Sequence, residues 1–140
     1  MICQLLVSVR NVDECRQALH GGADIIDVKE PRHGSLGRAA WSTIEQIASL
    51  LGHQQDPPRE NSAPHYPPLS VALGEWDEWT GSHLPNCPDE PTSPSPPAFH
   101  IDGARMYFKL GTAGLTNTAD TQRLALWQRS LETARFHLAN

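Results

Sequence analysis

The sequence predicts an α/β fold built on a parallel sheet, and three observations point there. Short apolar runs of strand length alternate with longer stretches whose apolar residues recur at helical spacing. The first of these runs is continuous rather than alternating, as in strands covered on both faces. Two complete strand-then-helix units fit before residue 53. At 140 residues the chain is long enough for one domain with a real core. A closed α/β barrel takes roughly 200 residues or more, and periodicity alone does not separate an open sheet from part of a barrel.

The elements follow in order. Residues 3–8, CQLLVS, read as a strand buried on both faces. Asn11 offers an N-cap with Glu14 as its capping-box partner; Val12, Cys15 and Leu19 share a helical face, and Gly21 and Gly22 supply the stop. Residues 24–28, DIIDV, form the second strand, and the loop EPRHGSLG leads to a second helix from near Ala39. There Trp41, Ile44, Ala48 and Leu51 share a face, with Ile47 beside them and Gly52 as terminator. LSVAL at 69–73 and MYFKL at 106–110 complete four strands, with right-handed crossovers expected between them. Leu124, Trp127, Leu131, Ala134 and Leu138 place a long amphipathic helix over residues 119–138.

Eleven of the twelve prolines lie between Pro57 and Pro97, a composition that cannot sustain helix. The reading is therefore one domain over residues 1–140, with proline-rich loops at 54–68 and 81–100. No more than a short helical turn is expected around Glu75 to Thr80.

The formal charge of −5 and the absence of any basic run argue against a nucleic-acid surface. Cys3, Cys15 and Cys87 form neither a disulfide framework nor a metal or redox motif, which fits a reducing, cytoplasmic setting. No apolar run is long enough to cross a membrane, and the N-terminus lacks the basic flank and cleavage site of an export signal. The seven histidines form no HxH or HxxxH pair, so neither a metal site nor a cofactor is expected.

Chemistry in α/β folds gathers at the carboxyl ends of the strands, and two lysines, Lys29 and Lys109, stand there. Period-2 alternation places Asp27 with Lys29 and Tyr107 with Lys109, and sends Val28 and Phe108 to the opposite face. A lysine partly desolvated near another cation has a lowered pKa, and its neutral amine attacks carbonyls to form a Schiff base. The carboxylate would position the amine or move protons, and the second lysine would lower the first one's pKa or hold an anion. Arg32 and His33, in the glycine-bearing loop, are candidates for phosphate contact. Plain solvation of the lysines, and a turn-capping Asp27, are equally compatible with these positions.

The stretch LLVSVRNVDECRQALHGGADIIDVKEPRHGSLG resembles the opening of the (5-formylfuran-3-yl)methyl phosphate synthase family, with its LLVS strand, its GGADIIDVK and its P..GSLG loop. SVALGE is similar to the family's third strand and YFKLGTAGL to its fourth, although Glu75 stands where the family tends to have aspartate. The resemblance implies TIM-barrel-like (βα) units, here about four parallel strands, half of a (βα)8 barrel. It further implies a class I aldolase-like lyase that condenses two molecules of glyceraldehyde 3-phosphate on the way to methanofuran-type C1 carriers. By position, Lys29 answers to the Schiff-base lysine, Asp27 to its carboxylate neighbour and Lys109 to the fourth-strand lysine. Arg32, His33 and Ser35 are the expected substrate-binding residues. Family barrels continue through four more strands that carry another catalytic lysine, an aspartate and phosphate-binding loops. The expectation is therefore pairing with a complementary half-barrel or with a second copy. The other readings are a non-catalytic half-barrel module and a truncated aldolase for another phosphosugar.

Overall fold

The computed structural model describes residues 3–53, 67–75 and 105–112, together with residues 125, 127–129 and 132. The described elements are β1 (Leu6–Val9), α1 (Val12–His20), β2 (Ile25–Val28), a single 3-10 turn (Pro31–His33), α2 (Trp41–His53), β3 (Leu69–Glu75) and β4 (Met106–Gly111). The four strands form one sheet in the order β1-β2-β3-β4, each pair parallel. This is the α/β arrangement of half a (βα) barrel.

One face of the sheet holds the core. Val9, Ile26, Val28, Leu69, Val71 and Leu73 alternate onto it and are sealed by Cys15 of α1 and by Trp41, Ile44, Ile47, Ala48 and Leu51 of α2. Fully burying one such aliphatic side chain is worth about 1.5–3 kcal/mol. Val12 and Leu19, on the stripe expected for α1, are half-buried against the same cluster. Arg38 is buried just ahead of α2, its guanidinium 4.5 Å above the Trp41 ring, a cation–π contact that the sequence did not announce.

Several boundaries depart from expectation for local reasons. β1 begins at Leu6 rather than Cys3, and only Val9 of it is buried, because no described element covers its other face. The Asn11 side chain caps α1 by accepting from the Glu14 amide at 2.9 Å, as expected. The Glu14 carboxylate, however, accepts from the amide of Arg10 at 2.8 Å rather than from that of Asn11. Arg10 also donates to it through its guanidinium at 2.6 Å, and the stronger, charge-assisted partner sets the direction of the side chain. That contact holds the Glu14 carboxyl below its ordinary pKa and raises that of Arg10.

β2 starts at Ile25, since the Asp24 carboxylate turns to accept the Leu5 amide at 2.7 Å. α2 begins at Trp41 and runs through Gly52 to His53, so Gly52 does not end it. β3 continues to Glu75, which belongs to a strand rather than to a helical turn. Residues 76–80, most of both proline-rich segments and Cys87 lie outside the described residues. Of the final helix, residues 125, 127–129 and 132 are helical, and the rest of 119–138 lies outside them.

Candidate active site

The ladder decides what lies on the face opposite the core. Ser8, Asp27, Ser70 and Tyr107 stand abreast across the four strands, and Ala72 stands beside Lys109 one pair further on. Lys29 lies one residue beyond β2, yet its amide still donates to the Val9 carbonyl at 3.2 Å, as the Ile25 amide does to Leu5. The alternation therefore runs on through Lys29, whose Cβ joins the row of Asp27. Val28 and Phe108 go to the core side as expected. This face is open only at its flanks: Leu6 and Tyr107 remain close to half exposed, at 47% and 46%, while Asp27, Ser70 and Ala72 between them are buried.

Asp27 is the buried charge of this face, with its side chain 2% exposed. Its Oδ2 accepts from the Ser8 hydroxyl at 3.0 Å, and its Oδ1 lies 2.5 Å from Nζ of Lys109. The contact to Lys109 is a charge contact rather than a directed hydrogen bond, and Oδ1 has no other partner among the described residues. The carboxylate that the sequence paired with Lys29 is thus committed to the lysine two strands away. The side chain of Lys29 has neither a hydrogen-bond nor an ion-pair partner among the described residues.

These are the only two lysines in the chain, which otherwise carries its positive side-chain charge on nine arginines. Lysine is normally among the commonest residues and sits on solvated surface. Here both occur at strand ends on one face. Strand spacing puts their backbones about 10 Å apart, on either side of the small side chain of Ala72. One ammonium beside a fixed carboxylate and a second without such a partner form an asymmetric pair.

The loop after β2 is tied down rather than open. The Glu30 carboxylate accepts the Arg32 amide at 3.0 Å and pairs with the Arg32 guanidinium at 3.3 Å. Arg32 otherwise stands in solvent, with 80% of its side chain exposed. His33 is half-buried, its Nδ1 3.2 Å from the Arg38 carbonyl. The Ser35 hydroxyl donates to Glu75 Oε1 at 3.0 Å, and the amide of Gly74 donates to the Leu36 carbonyl at 2.9 Å, so the loop is fastened to the end of β3.

Of the six residues expected to form the site, Asp27 and Lys109 are in contact and Lys29 shares their face. Arg32, His33 and Ser35 lie along the adjoining loop, each already engaged with protein groups. Ser8, which donates to Asp27, was missed. The only signal for Ser8 is a hydroxyl inside an apolar strand, which gains meaning once the register sets it beside Asp27.

Other proteins with this pattern of residues give it context. A model of the 4-HFC-P synthase family matches residues 5–135. The chain is similar to the (5-formylfuran-3-yl)methyl phosphate synthase of Methanococcus maripaludis, with 64% identity over 43 residues, which is 31% of this chain and 18% of that protein. It is 46% identical over 46 residues to the enzyme of the same name from Methanococcus aeolicus, covering 33% of this chain and 20% of the relative. It is 33% identical over 79 residues to that of Methanosarcina mazei, covering 56% and 29%. The chain thus spans less than a third of the length of these relatives in any one match. No helix among the described residues is long and apolar enough to cross a membrane. With the four-stranded parallel sheet, the two strand-end lysines and a family match over nearly its whole length, this chain belongs to the 4-HFC-P synthase family.

Proposed function

We propose that this chain carries the Schiff-base part of a cytoplasmic (5-formylfuran-3-yl)methyl phosphate synthase, a lyase that joins two molecules of glyceraldehyde 3-phosphate. The observation that carries the reading is the division of labour between the only two lysines. Lys109 is held by Asp27, and Lys29, on the same face, has no charged partner among the described residues. The Lys29 amine attacks the aldehyde carbon of one triose phosphate, the oxygen leaves as water, and a protonated imine remains. Lys109, held by Asp27, attracts the anionic phosphate ester. Arg32, exposed at the loop, is the further cation for the phosphate.

The exposed flanks of this face and the edge strands β1 and β4 support a partner in this reading. Leu6 and Tyr107 leave apolar surface uncovered beside the charged row, and β1 and β4, the sheet's edge strands among the described residues, are where further strands would add. We read the functional unit as this chain completed by a complementary set of βα units, supplied by a partner half-barrel or a second copy.

Borohydride trapping tests the reading. With glyceraldehyde 3-phosphate and the complementary half supplied, the chain should gain the mass of one reduced triose phosphate adduct, mapped to Lys29 and absent from Lys29→Ala. Because only Lys29, Lys109 and the terminal amine can react, the peptide map is unambiguous. A folded chain that forms no adduct, alone or with the complementary half supplied, would exclude the enzyme reading and leave a half-barrel that serves only as a binding module.

A further inference from the structure

The ladder between β3 and β4 contains a shift that changes which side chain reaches the site. Ala72 pairs with Lys109, but the next paired residue on the open-face row is Glu75 with Gly111, so β3 spends three residues where β4 spends two. The extra residue is Gly74, with φ 94°, a conformation that favours glycine. Regular alternation from Ala72 would put residue 74 on the open face and turn Glu75 toward the core. The bulge moves Glu75 onto the row of Lys109 instead.

Two contacts show that the carboxylate is seated there. A Cβ added at Gly111 would coincide with the Glu75 carboxylate, which therefore occupies the space that any other residue at 111 would fill. Ser35 donates to its Oε1 at 3.0 Å, and the neighbouring Gly74 amide ties the same loop through the Leu36 carbonyl at 2.9 Å. Continuing the β2–β3 register one pair past Val28 and Val71 sets Lys29 beside Ala72, one strand across from Glu75 and two rungs below it. Strand spacing makes that separation about 8 Å between backbones, within the combined reach of a lysine and a glutamate.

We propose that Glu75 is a further acid–base group of this site, one that takes the Lys29 proton and returns it to the departing oxygen. The proposal rests on the Schiff-base reading of Lys29. Proton transfer from the Lys29 ammonium to the Glu75 carboxylate gives a neutral amine and a carboxylic acid. The amine lone pair forms the N–C bond as the carbonyl π pair moves to oxygen, and a proton passes from nitrogen to that oxygen to give the neutral carbinolamine. The Glu75 acid then protonates the hydroxyl, the C–O bond breaks, water leaves, and the nitrogen lone pair closes the C=N bond. A protonated imine and a Glu75 carboxylate remain. Charge and protons balance, with no further reactant required.

The test uses pyridoxal as well as glyceraldehyde 3-phosphate, so that failure of the substrate assignment is separable from failure of Glu75. Imine formation with pyridoxal is followed by absorbance, and the adduct is fixed with borohydride and mapped to Lys29. Glu75→Gln should slow imine formation at Lys29 on the order of ten- to a hundredfold and flatten its pH profile, as loss of a general acid–base group does, while Glu75→Asp restores most of the rate. Gly111→Ala keeps the carboxylate but displaces it, and should slow the reaction in the same direction with little change in melting temperature, since the displaced group is the flexible end of a side chain. If Glu75→Gln forms the imine at the wild-type rate with the wild-type pH profile, the proposal is wrong. It is also overturned if the slowdown is not recovered by Glu75→Asp and tracks lost thermal stability, because Glu75 would then be a structural latch for Ser35. A pyridoxal imine at Lys29 without any triose phosphate adduct would refute the substrate and leave the role of Glu75 measurable.

Discussion

The two faces of the sheet are built from the same four strands by opposite rules. On the helix-covered face Ile26, Val28, Leu69, Val71 and Leu73 are at most 1% exposed, and no charge interrupts them. On the opposite face the same strands present Ser8, Asp27, Ser70, Lys109 and, through the bulge, Glu75; Asp27 and Ser70 are buried there, with exposed Leu6 and Tyr107 at the flanks. The first face is held by area removed from water, which is indifferent to direction. The second is held by a few directed contacts, which cost more when broken singly than they gain when made. Stability and chemistry are thus separated by one residue of strand phase.

The difference predicts unequal responses to similar changes. Ile26→Ala should lower unfolding free energy by about 2–5 kcal/mol, as large-to-small changes in packed cores do, whereas Leu6→Ala on the open face should shift it by less than about 0.5 kcal/mol. Urea midpoints of the two variants would measure this. Equal losses would mean that the open face is as well packed as the other.

A sharper contrast lies within the open face itself. Lys109→Ala strands the buried Asp27 carboxylate with Ser8 as its one remaining side-chain partner among the described residues. Because Lys109 is itself 33% exposed, the cost should be about 1–3 kcal/mol, below that of breaking a fully buried pair. Lys29→Ala removes no hydrogen bond or ion pair among the described residues and should leave the melting curve nearly unchanged, though it abolishes imine trapping. Thermal melts of both variants at one pH would decide it, and a loss for Lys29→Ala as large as for Lys109→Ala would break the asymmetry on which the site reading rests.

The smallest effect comes from the covered side. Burial pushes the Cys15 thiol up from an ordinary 9.0 to about 11. A group whose folded pKa is raised holds its proton longer when folded, so its contribution is present below about pH 9 and is lost as pH rises toward about 11. Stability should therefore decline over that range, by about 1 kcal/mol near pH 10, and the decline should be shallower in Cys15→Ala. In the folded chain at neutral pH, iodoacetamide should modify exposed Cys3 and spare Cys15.

Much of this architecture is legible along the chain. The strand runs, the Asn11 cap and the Trp41, Ile44, Ala48, Leu51 stripe follow from local physics, since burial repeats with the period of the element that is buried. Lys29, Asp27 and Lys109 were legible as one face because alternation is strict within a strand. Three things were not. The β1 strand is apolar enough to be buried on both sides, but exposure depends on what stands opposite, and no local pattern reports that. The Glu14 carboxylate chose Arg10 over the backbone of Asn11 because a charged donor was within reach. Glu75 looked like the start of a turn, since a bulge is a relation between two strands and only one of them was in view.

What the sequence by itself determined is the succession of strands and helices, the side of each strand that faces the helices, and the placing of both lysines at carboxyl ends. These depend on residue types at fixed short spacings, which the backbone geometry converts directly into direction. Only the tertiary structure decided that Asp27 serves Lys109 rather than Lys29, that Ser8 completes the contact, and that Gly74 and Gly111 admit the Glu75 carboxylate to the face. Those outcomes depend on register between strands up to eighty residues apart, and register is set by how the whole sheet closes over its core.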